Sequence, residues 1–249
     1  MNRLAMTPLV ESATVARRVG VLVGSILVTA FYSVLVLIRA VSGRLHREQV
    51  DRYVREWSAH LLRLVRVKLT VSGDVPDFDD GRRYLILCSH ASHYDIPISF
   101  VALPGSIRML AKKELFAIPL LGPAMKAAEF PAIDRSNHDN ALADLRRARA
   151  MMESGIVLWA APEGTRSKDG TLCGFKKGCF HLALDTDAVI VPVAIRGNHH
   201  VLPARTWQIN LGQPVALEVA PTIDASAYSR DQLPQLMDDV RQRIAERLT

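Results

Sequence analysis

Tyr84-Leu85-Ile86-Leu87-Cys88-Ser89-His90-Ala91-Ser92-His93-Tyr94-Asp95-Ile96-Pro97 carries two signals in succession. Tyr84 to Cys88 is an uncharged apolar run of strand length, preceded by the polar, breaker-rich stretch around Asp74, Pro76, Asp77, Asp79, Asp80 and Gly81, and it reads as a buried strand. Ser106 to Leu110, Ile156 to Ala160 and Val189 to Ile195 have the same character, while His138 to Glu153 and Asp231 to Leu248 carry helical periodicity. Alternating strands and helices predict an α/β domain with a mostly parallel central sheet covered by helices, and ligands are expected where strands end and helices begin. The domain boundary is placed at the breaker-rich stretch, with a membrane-associated helical segment over 1–70 and a catalytic domain over 71–249. No internal repeat or low-complexity tract interrupts either part.

The second signal is chemical. Five residues on a helix set two side chains about 140° apart, so His90 and Asp95 meet only if the chain turns between them. That requires His90 in the strand-end loop and Asp95 in the first helical turn. A histidine held by a carboxylate has a fixed tautomer and takes a proton from a hydroxyl, which is the base and orienter of a catalytic triad. Two plainer readings use the same residues: His90 caps the helix, or His90, His93 and Asp95 hold a metal. No second ligand cluster of similar density accompanies them, and His199-His200 stand apart, so no metal is expected.

No nucleophile accompanies the base. G-x-S-x-G, the P-loop and the Rossmann glycine pattern are absent, which argues against acyl-enzyme hydrolases, nucleotide kinases and dinucleotide oxidoreductases. A base without a protein nucleophile leaves the substrate's own hydroxyl to attack. Pro162-Glu163-Gly164-Thr165-Arg166-Ser167 follows the third strand, and Gly174-Phe175-Lys176-Lys177-Gly178 leads into an apolar helix. Glycines, hydroxyls and cations at such a turn can cradle a phosphate, and they equally describe a solvated basic loop. Asp134-Arg135 and Lys112-Lys113-Glu114 add two further cationic points.

The first quarter differs in kind. Val19 to Ile38 is a run of 20 residues without a charge, between Arg17-Arg18 and Arg39, and reaches about 30 Å as a helix, one hydrocarbon thickness. It is too long for a signal-peptide core and no small-residue cleavage site closes it. More arginines follow the run than precede it, which puts its C-terminal side in the cytoplasm, although cations at both ends also suit a re-entrant helix. In the next segment Val50, Tyr53, Val54, Trp57, His60, Leu61, Leu64 and Val65 share one helical face opposite Arg52, Arg55, Arg63 and Arg66. A basic amphipathic helix of this kind is expected at an anionic lipid interface, the alternative being a helix packed on the domain with a solvated arginine face.

Composition agrees with this division. The 249 residues are 49% hydrophobic and 22% charged, which excludes a disordered chain. The net charge is +6, but residues 1–68 hold 11 Lys/Arg against 4 Asp/Glu (+7), leaving 20 against 21 (−1) beyond. The basicity therefore belongs to the membrane-facing quarter, and the slightly acidic remainder is no nucleic-acid surface. Cys88, Cys173 and Cys179 are odd in number, without zinc spacing, and imply no disulfide framework.

Taken together, His90 and Asp95 in a His-x4-Asp pattern, Ile133-Asp134-Arg135, Pro162-Glu163-Gly164-Thr165-Arg166-Ser167 and Val191-Pro192-Val193-Ala194-Ile195 resemble the four ordered blocks of the glycerolipid acyltransferases. The nearest branch is the lysophosphatidic acid acyltransferases (1-acylglycerol-3-phosphate O-acyltransferases), whose stretch between the first two blocks is similar to Ala111-Lys112-Lys113-Glu114-Leu115. The resemblance runs from about Arg83 to Gly197. It departs at Ala161, where the third block often begins with Phe, and at Glu129, where the second often begins with Gly.

The resemblance implies an enzyme of phospholipid biosynthesis with His90 as general base and Asp95 as its orienter. The freed sn-2 oxygen of lysophosphatidic acid would attack an acyl thioester of coenzyme A or acyl-carrier protein, giving phosphatidic acid without metal or organic cofactor. Arg135 and Arg166, with Lys112, would hold the acceptor phosphate, and Glu163, Gly164 and Thr165 would shape the pocket. The expected location is the cell membrane, catalytic domain on the cytoplasmic side, against an anionic membrane surface. Another lysophospholipid or a lyso-aminolipid as acceptor, and a lipid-binding module without catalysis, are the alternatives.

Overall fold

The computed structural model describes residues 12–133 and 141–249. Two long helices, α1 (Val15–Val41) and α2 (Arg47–Leu64), precede β1 (Lys68–Ser72), β2 (Tyr84–Cys88), α3 (Asp95–Ala102), β3 (Ile107–Met109) and β4 (Ala111–Lys112). Then come α4 (Leu121–Ala127), β5 (Ala132–Ile133), α5 (Ala141–Glu153), β6 (Val157–Ala160), α6 (Gly178–Asp185) and β7 (Val189–Arg196). The chain closes with α7 (Asn198–Val201), β8 (Pro214–Val219), β9 (Ile223–Asp224) and α8 (Leu233–Leu248). The four expected strands are β2, β3, β6 and β7. The expected helix over His138 to Glu153 is present from Ala141, its first residues lying outside the described ones, and that over Asp231 to Leu248 starts at Leu233.

The main sheet has the order β1-β8-β7-β2-β6-β3, with β9 against β7. β2 pairs in parallel with both β6 and β7, and β3 in parallel with β6, so these four strands end on the same edge. β8 and β9 run antiparallel to β7, and β1 parallel to β8. Both faces of β2 are buried. Tyr84, Ile86 and Cys88 join Ile98 and Phe100 of α3 and Leu61 of α2, while Leu85 and Leu87 meet Met152, Phe180, Leu236 and Val240 from α5, α6 and α8. A strand covered twice has no polar face to alternate with, which is why its sequence is a continuous apolar run.

β1 lies across the boundary placed at residues 70 and 71. The N-terminal helices contribute Val21, Leu61, Leu62 and Val65 to the same core as β2 and β7, so helical segment and sheet share buried surface. α1 and α2 form an antiparallel hairpin in which Trp57 Nε1 donates to Thr29 Oγ1 at 3.0 Å and Tyr32 donates to Glu56 at 3.3 Å. The apolar face of α2, expected on lipid, is instead covered by protein: Val50, Tyr53 and Leu61 are buried, as is Leu62 outside that face, with α1 on one side and α3 on the other. Helical periodicity shows that a face needs an apolar partner and says nothing of which partner supplies it. The arginine face is solvated, as its spacing predicts.

The unpartnered apolar surface belongs to α1. Val19, Leu22, Val23, Ile26, Leu27, Phe31, Val34 and Ile38 are all exposed at spacings of three and four, whereas Val21, Tyr32 and Val36 face inward. α1 is the one helix among the described residues long and apolar enough to cross a membrane.

A polar junction fastens α2 to the sheet. Arg108 of β3 is wholly buried; its Nη1 donates to Asp51 Oδ1 at 2.6 Å and its Nε to the Ala128 carbonyl at 2.7 Å. Asp51 also accepts from Ser106. Beside it the half-exposed Arg47 forks onto both oxygens of Glu129 at 2.7 and 2.9 Å. Glu129 takes φ 62°, the left-handed region that suits glycine, so a glutamate here accepts backbone strain in exchange for an ion pair to α2. Removing Asp51 leaves the buried guanidinium with only the more distant Glu129, at 3.9 Å, as a carboxylate partner, so Asp51→Ala should cost about 3 kcal/mol in urea unfolding, against about 1 kcal/mol or less for Arg47→Ala. Equal losses would show that Arg108 reaches water once its partner is gone.

Candidate active site

The loop between β2 and α3 wraps around a single carboxylate. Asp95, the first residue of α3 and wholly buried, accepts at Oδ2 from His90 Nδ1 (2.8 Å), Ala91 N (2.8 Å) and Ser92 N (3.0 Å). At Oδ1 it accepts from the side-chain amide of Asn198. Asp95 stands at a helix N-terminus, where the backbone dipole favours negative charge. A carboxylate accepts and does not donate, so the ring proton of a neutral His90 sits on Nδ1 and Nε2 keeps its lone pair. Nε2 has no partner among the described residues, and the His90 side chain remains 18% exposed. The sequence placed His90 in the strand-end loop and Asp95 in the first helical turn, and the structure brings them together there.

His90 is held by its main chain as well. Its N–H donates to Glu163 Oε1 at 2.7 Å, and its carbonyl accepts from Ser167 N at 2.7 Å. The loop after β6 therefore grips the His90 peptide at two points. Glu163 is buried, and its second oxygen accepts from Cys173 N at 2.8 Å. Burial raises its pKa, outweighing the two backbone N–H donors that favour the charged form. Glu163 thus braces the loop from behind, with both oxygens committed to backbone. Gly164 takes φ 69° and closes a turn onto the Ala161 carbonyl, the left-handed conformation that excludes most side chains. Thr165 beyond it is exposed.

Two of the three expected cations, Arg166 and Lys112, lie within the described residues. Arg166 is half-buried and close enough to His93 for its charge, after the larger effect of burial and ahead of His90, to lower the His93 pKa. Lys112 is exposed on β4, in register with Ile133 of β5, so β4 and β5 bring the lysine beside the segment leading to Arg135. Arg135 lies outside the described residues. Among the described residues no three His, Cys, Asp or Glu side chains group as a metal site.

Two features were not read from the sequence. Asn198, wholly buried on α7, completes the shell around Asp95. The only sign of it in the sequence is a Gly-Asn pair just beyond a predicted strand on the ligand-binding edge. The second is an apolar cavity of about 280 Å³ between α1, α2, α4 and β3, lined by Tyr32, Trp57, Phe100, Met109, Met125 and Phe130 among others. Met109 is the register partner of Trp159, whose ring lies edge-on to His90 at 6.4 Å between centroids. The cavity therefore begins two strands from β2 and its His90 loop, with β6 between.

Residues 66–196 match the family model described as Acyltransferase. A 1-acyl-sn-glycerol-3-phosphate acyltransferase of Haemophilus influenzae is 30% identical over 200 residues, 78% of this chain and 81% of that protein. One from Cocos nucifera is 39% identical over 132 residues, 53% of this chain; the match spans 42% of that protein's length. The crystal structure of the 1-acyl-sn-glycerophosphate (LPA) acyltransferase PlsC from Thermotoga maritima superposes with a TM-score of 0.75 at 25% identity, covering 93% of this chain and 94% of that one.

Glu163→Gln keeps one acceptor and turns an amide donor toward a backbone N–H, which should cost about 1–3 kcal/mol in urea unfolding. The raised pKa fixes the sign of the pH dependence. Stability from protonated Glu163 is present below the ordinary glutamate range and is lost as pH rises through the raised value, so the wild-type advantage narrows as pH rises from the ordinary glutamate range through that raised value. A widening advantage would mean that burial does not dominate this carboxyl.

Proposed function

The chain belongs to the Acyltransferase family, and from that premise we propose that it transfers a fatty acyl chain from a thioester to the sn-2 hydroxyl of lysophosphatidic acid, forming phosphatidic acid at a membrane. The observation that carries this reading is the His90 Nδ1 to Asp95 contact, which leaves Nε2 as a base at the crevice. Nε2 takes the proton of the acceptor hydroxyl as its oxygen attacks the thioester carbonyl. The tetrahedral intermediate collapses with a C–O ester bond formed and the C–S bond broken, and the imidazolium returns its proton to the leaving thiolate. Base, nucleophile and leaving group are all provided by His90 and the two substrates, so the reaction calls on neither metal nor organic cofactor.

Arg166, Lys112 and Arg135 bind the acceptor phosphate, a reading supported by Arg166 on the loop after β6 and by Lys112 on β4, whose partner strand β5 precedes Arg135 in the sequence. The apolar cavity beside Met109 accommodates an acyl chain, consistent with its lining of aromatic and aliphatic side chains. The donor carrier is coenzyme A or acyl-carrier protein. The exposed stripe of α1 sits in the lipid of an anionic membrane, with Arg17, Arg39 and Arg44 near its two ends and the crevice on the cytoplasmic side.

A matrix of acyl donors against lysophospholipid and lyso-aminolipid acceptors tests the chemistry. Lysophosphatidic acid should give the highest kcat/KM; preference for another acceptor would reassign the substrate, and liposome binding without thioester consumption would leave a lipid-binding module. His90→Ala should lower transfer by at least ~100-fold and Arg166→Ala should chiefly raise the acceptor KM. Wild-type turnover in folded His90→Ala would end the base assignment. Leu27→Asp with Phe31→Asp should weaken binding to anionic vesicles by at least ~10-fold while leaving the melting temperature nearly unchanged, since both side chains face outward. Undiminished vesicle binding would take α1 out of the lipid contact.

A further inference from the structure

Asp95 divides its two oxygens unequally. Oδ2 is shared by His90 Nδ1, Ala91 N and Ser92 N, all from its own loop, whereas Oδ1 has a single partner among the described residues, the Nδ2 of Asn198 from across the sheet edge. Asn198 is itself wholly buried, and its own Oδ1 finds no partner there. The side chain is therefore anchored by the bond it gives to Asp95. Its position follows from the fold. β7 pairs with β2 through Cys88 and Val193, Ser89 Oγ accepts from Ile195 N, and Gly197 at φ 80° turns the chain so that α7 opens on Asn198.

We infer that Asn198 is a positioning residue for the general base, acting through Asp95. This rests on the proposed acyl transfer, since a base needs orienting only if it acts. The terminal torsion of an aspartate is broad and roughly two-fold, so a carboxylate held on one oxygen can rotate and offer His90 a poorer acceptor. The Asn198 amide fixes the second oxygen. It also withdraws part of the carboxylate charge from the imidazole, because a hydrogen bond to the charged form stabilises it independently of His90. Asn198 thus sets both the angle at which Nδ1–H is held and how strongly Asp95 favours the imidazolium.

The ionisable groups close to this carboxylate are His90 and His93 of its own loop, Cys88 at the end of β2 and His199 beside Asn198 on α7. Glu163, from the loop after β6, acts on Cys88 and His90 in turn. None of them gives Oδ1 a second hydrogen bond, so removal of the amide is not compensated.

The test compares full-length wild type with Asn198→Ala and the near-isosteric Asn198→Asp, each checked for folding by thermal melting in detergent. In Asn198→Ala, kcat should fall about 10-fold or more with the KM of both substrates changed less than about twofold. The titration midpoint of the His90 ring, followed by NMR and assigned with His90→Gln, should move, because the carboxylate that holds Nδ1–H is no longer fixed and shared by the amide. In Asn198→Asp the introduced carboxyl can donate to Asp95 only while protonated, so activity should be retained best at the acid end and fall as pH rises. Two folded variants with wild-type kcat and an unmoved His90 midpoint would overturn the inference. If wild type transfers no acyl group at all, the proposed function fails, and the NMR midpoint still judges whether Asn198 acts on His90.

Discussion

The parallel pairing of β2 with β6 on one side and β7 on the other is the constraint on which this molecule depends. Three loops leave the same edge of the sheet because of it. The first carries His90 and Asp95, the second Glu163 and Arg166, the third Asn198. None of these segments is regular enough to hold its own shape. The β2 loop is held by the carboxylate it surrounds, and its His90 peptide by Glu163 and Ser167 from the β6 loop. The continuous apolar sequence of β2 thus serves the chemistry indirectly: a strand buried on both faces cannot slip or twist out, and its C-terminal residue fixes where the base begins.

Two buried carboxylates share this edge and do opposite things. Asp95 spends one of its bonds on an imidazole side chain, so its charge acts on the His90 ring. Glu163 spends both of its oxygens on backbone N–H groups of residues 90 and 173, so its charge is used up in holding two loops together. Burial is tolerable in each case because every oxygen has a donor. The two differ in how the donors are bound to the chain. Those of Glu163 are fixed peptides, and those of Asp95 include two side chains that can rotate. The second arrangement is the one that has to be over-determined, and Asn198 is where the fold does it.

How much of this was legible in the sequence depended on how far apart the partners stand in the chain. His90 and Asp95 are five residues apart, and the strand-to-helix turn between them could be argued from one loop. The four central strands were legible because burial on both faces leaves an unbroken apolar run. β1 and β8 were not: Lys68–Ser72 is mostly exposed, so its pattern is diluted, and its place comes from pairing with a strand almost 150 residues away. The bracing by Glu163 spans 73 residues and the contact of Asn198 spans 103, and no local pattern encodes either. Arg108 inside a three-residue strand reads as a surface charge until α2 covers it. The apolar face of α2 was recognised and its partner was not, because the lipid expected there and the neighbouring helices present the same apolar surface to it.

That last substitution has a mechanical consequence. Since α2 is committed to α1 and α3, α1 is the element left with an exposed apolar side, while its other side packs against α2 and α4. α4 leads directly to Glu129, which Arg47 ties back to the start of α2, and Glu129 leads through Phe130 and Pro131 to β5. The helix with the exposed apolar stripe, the ion pairs at Arg47 and Arg108, and the strand pair that carries Lys112 are therefore one continuous packed path. The apolar cavity lies inside that path, walled by α1, α2 and α4 on one side and by Met109 on the other. The cavity and the sheet edge are thus positioned by the same framework rather than by two independent devices.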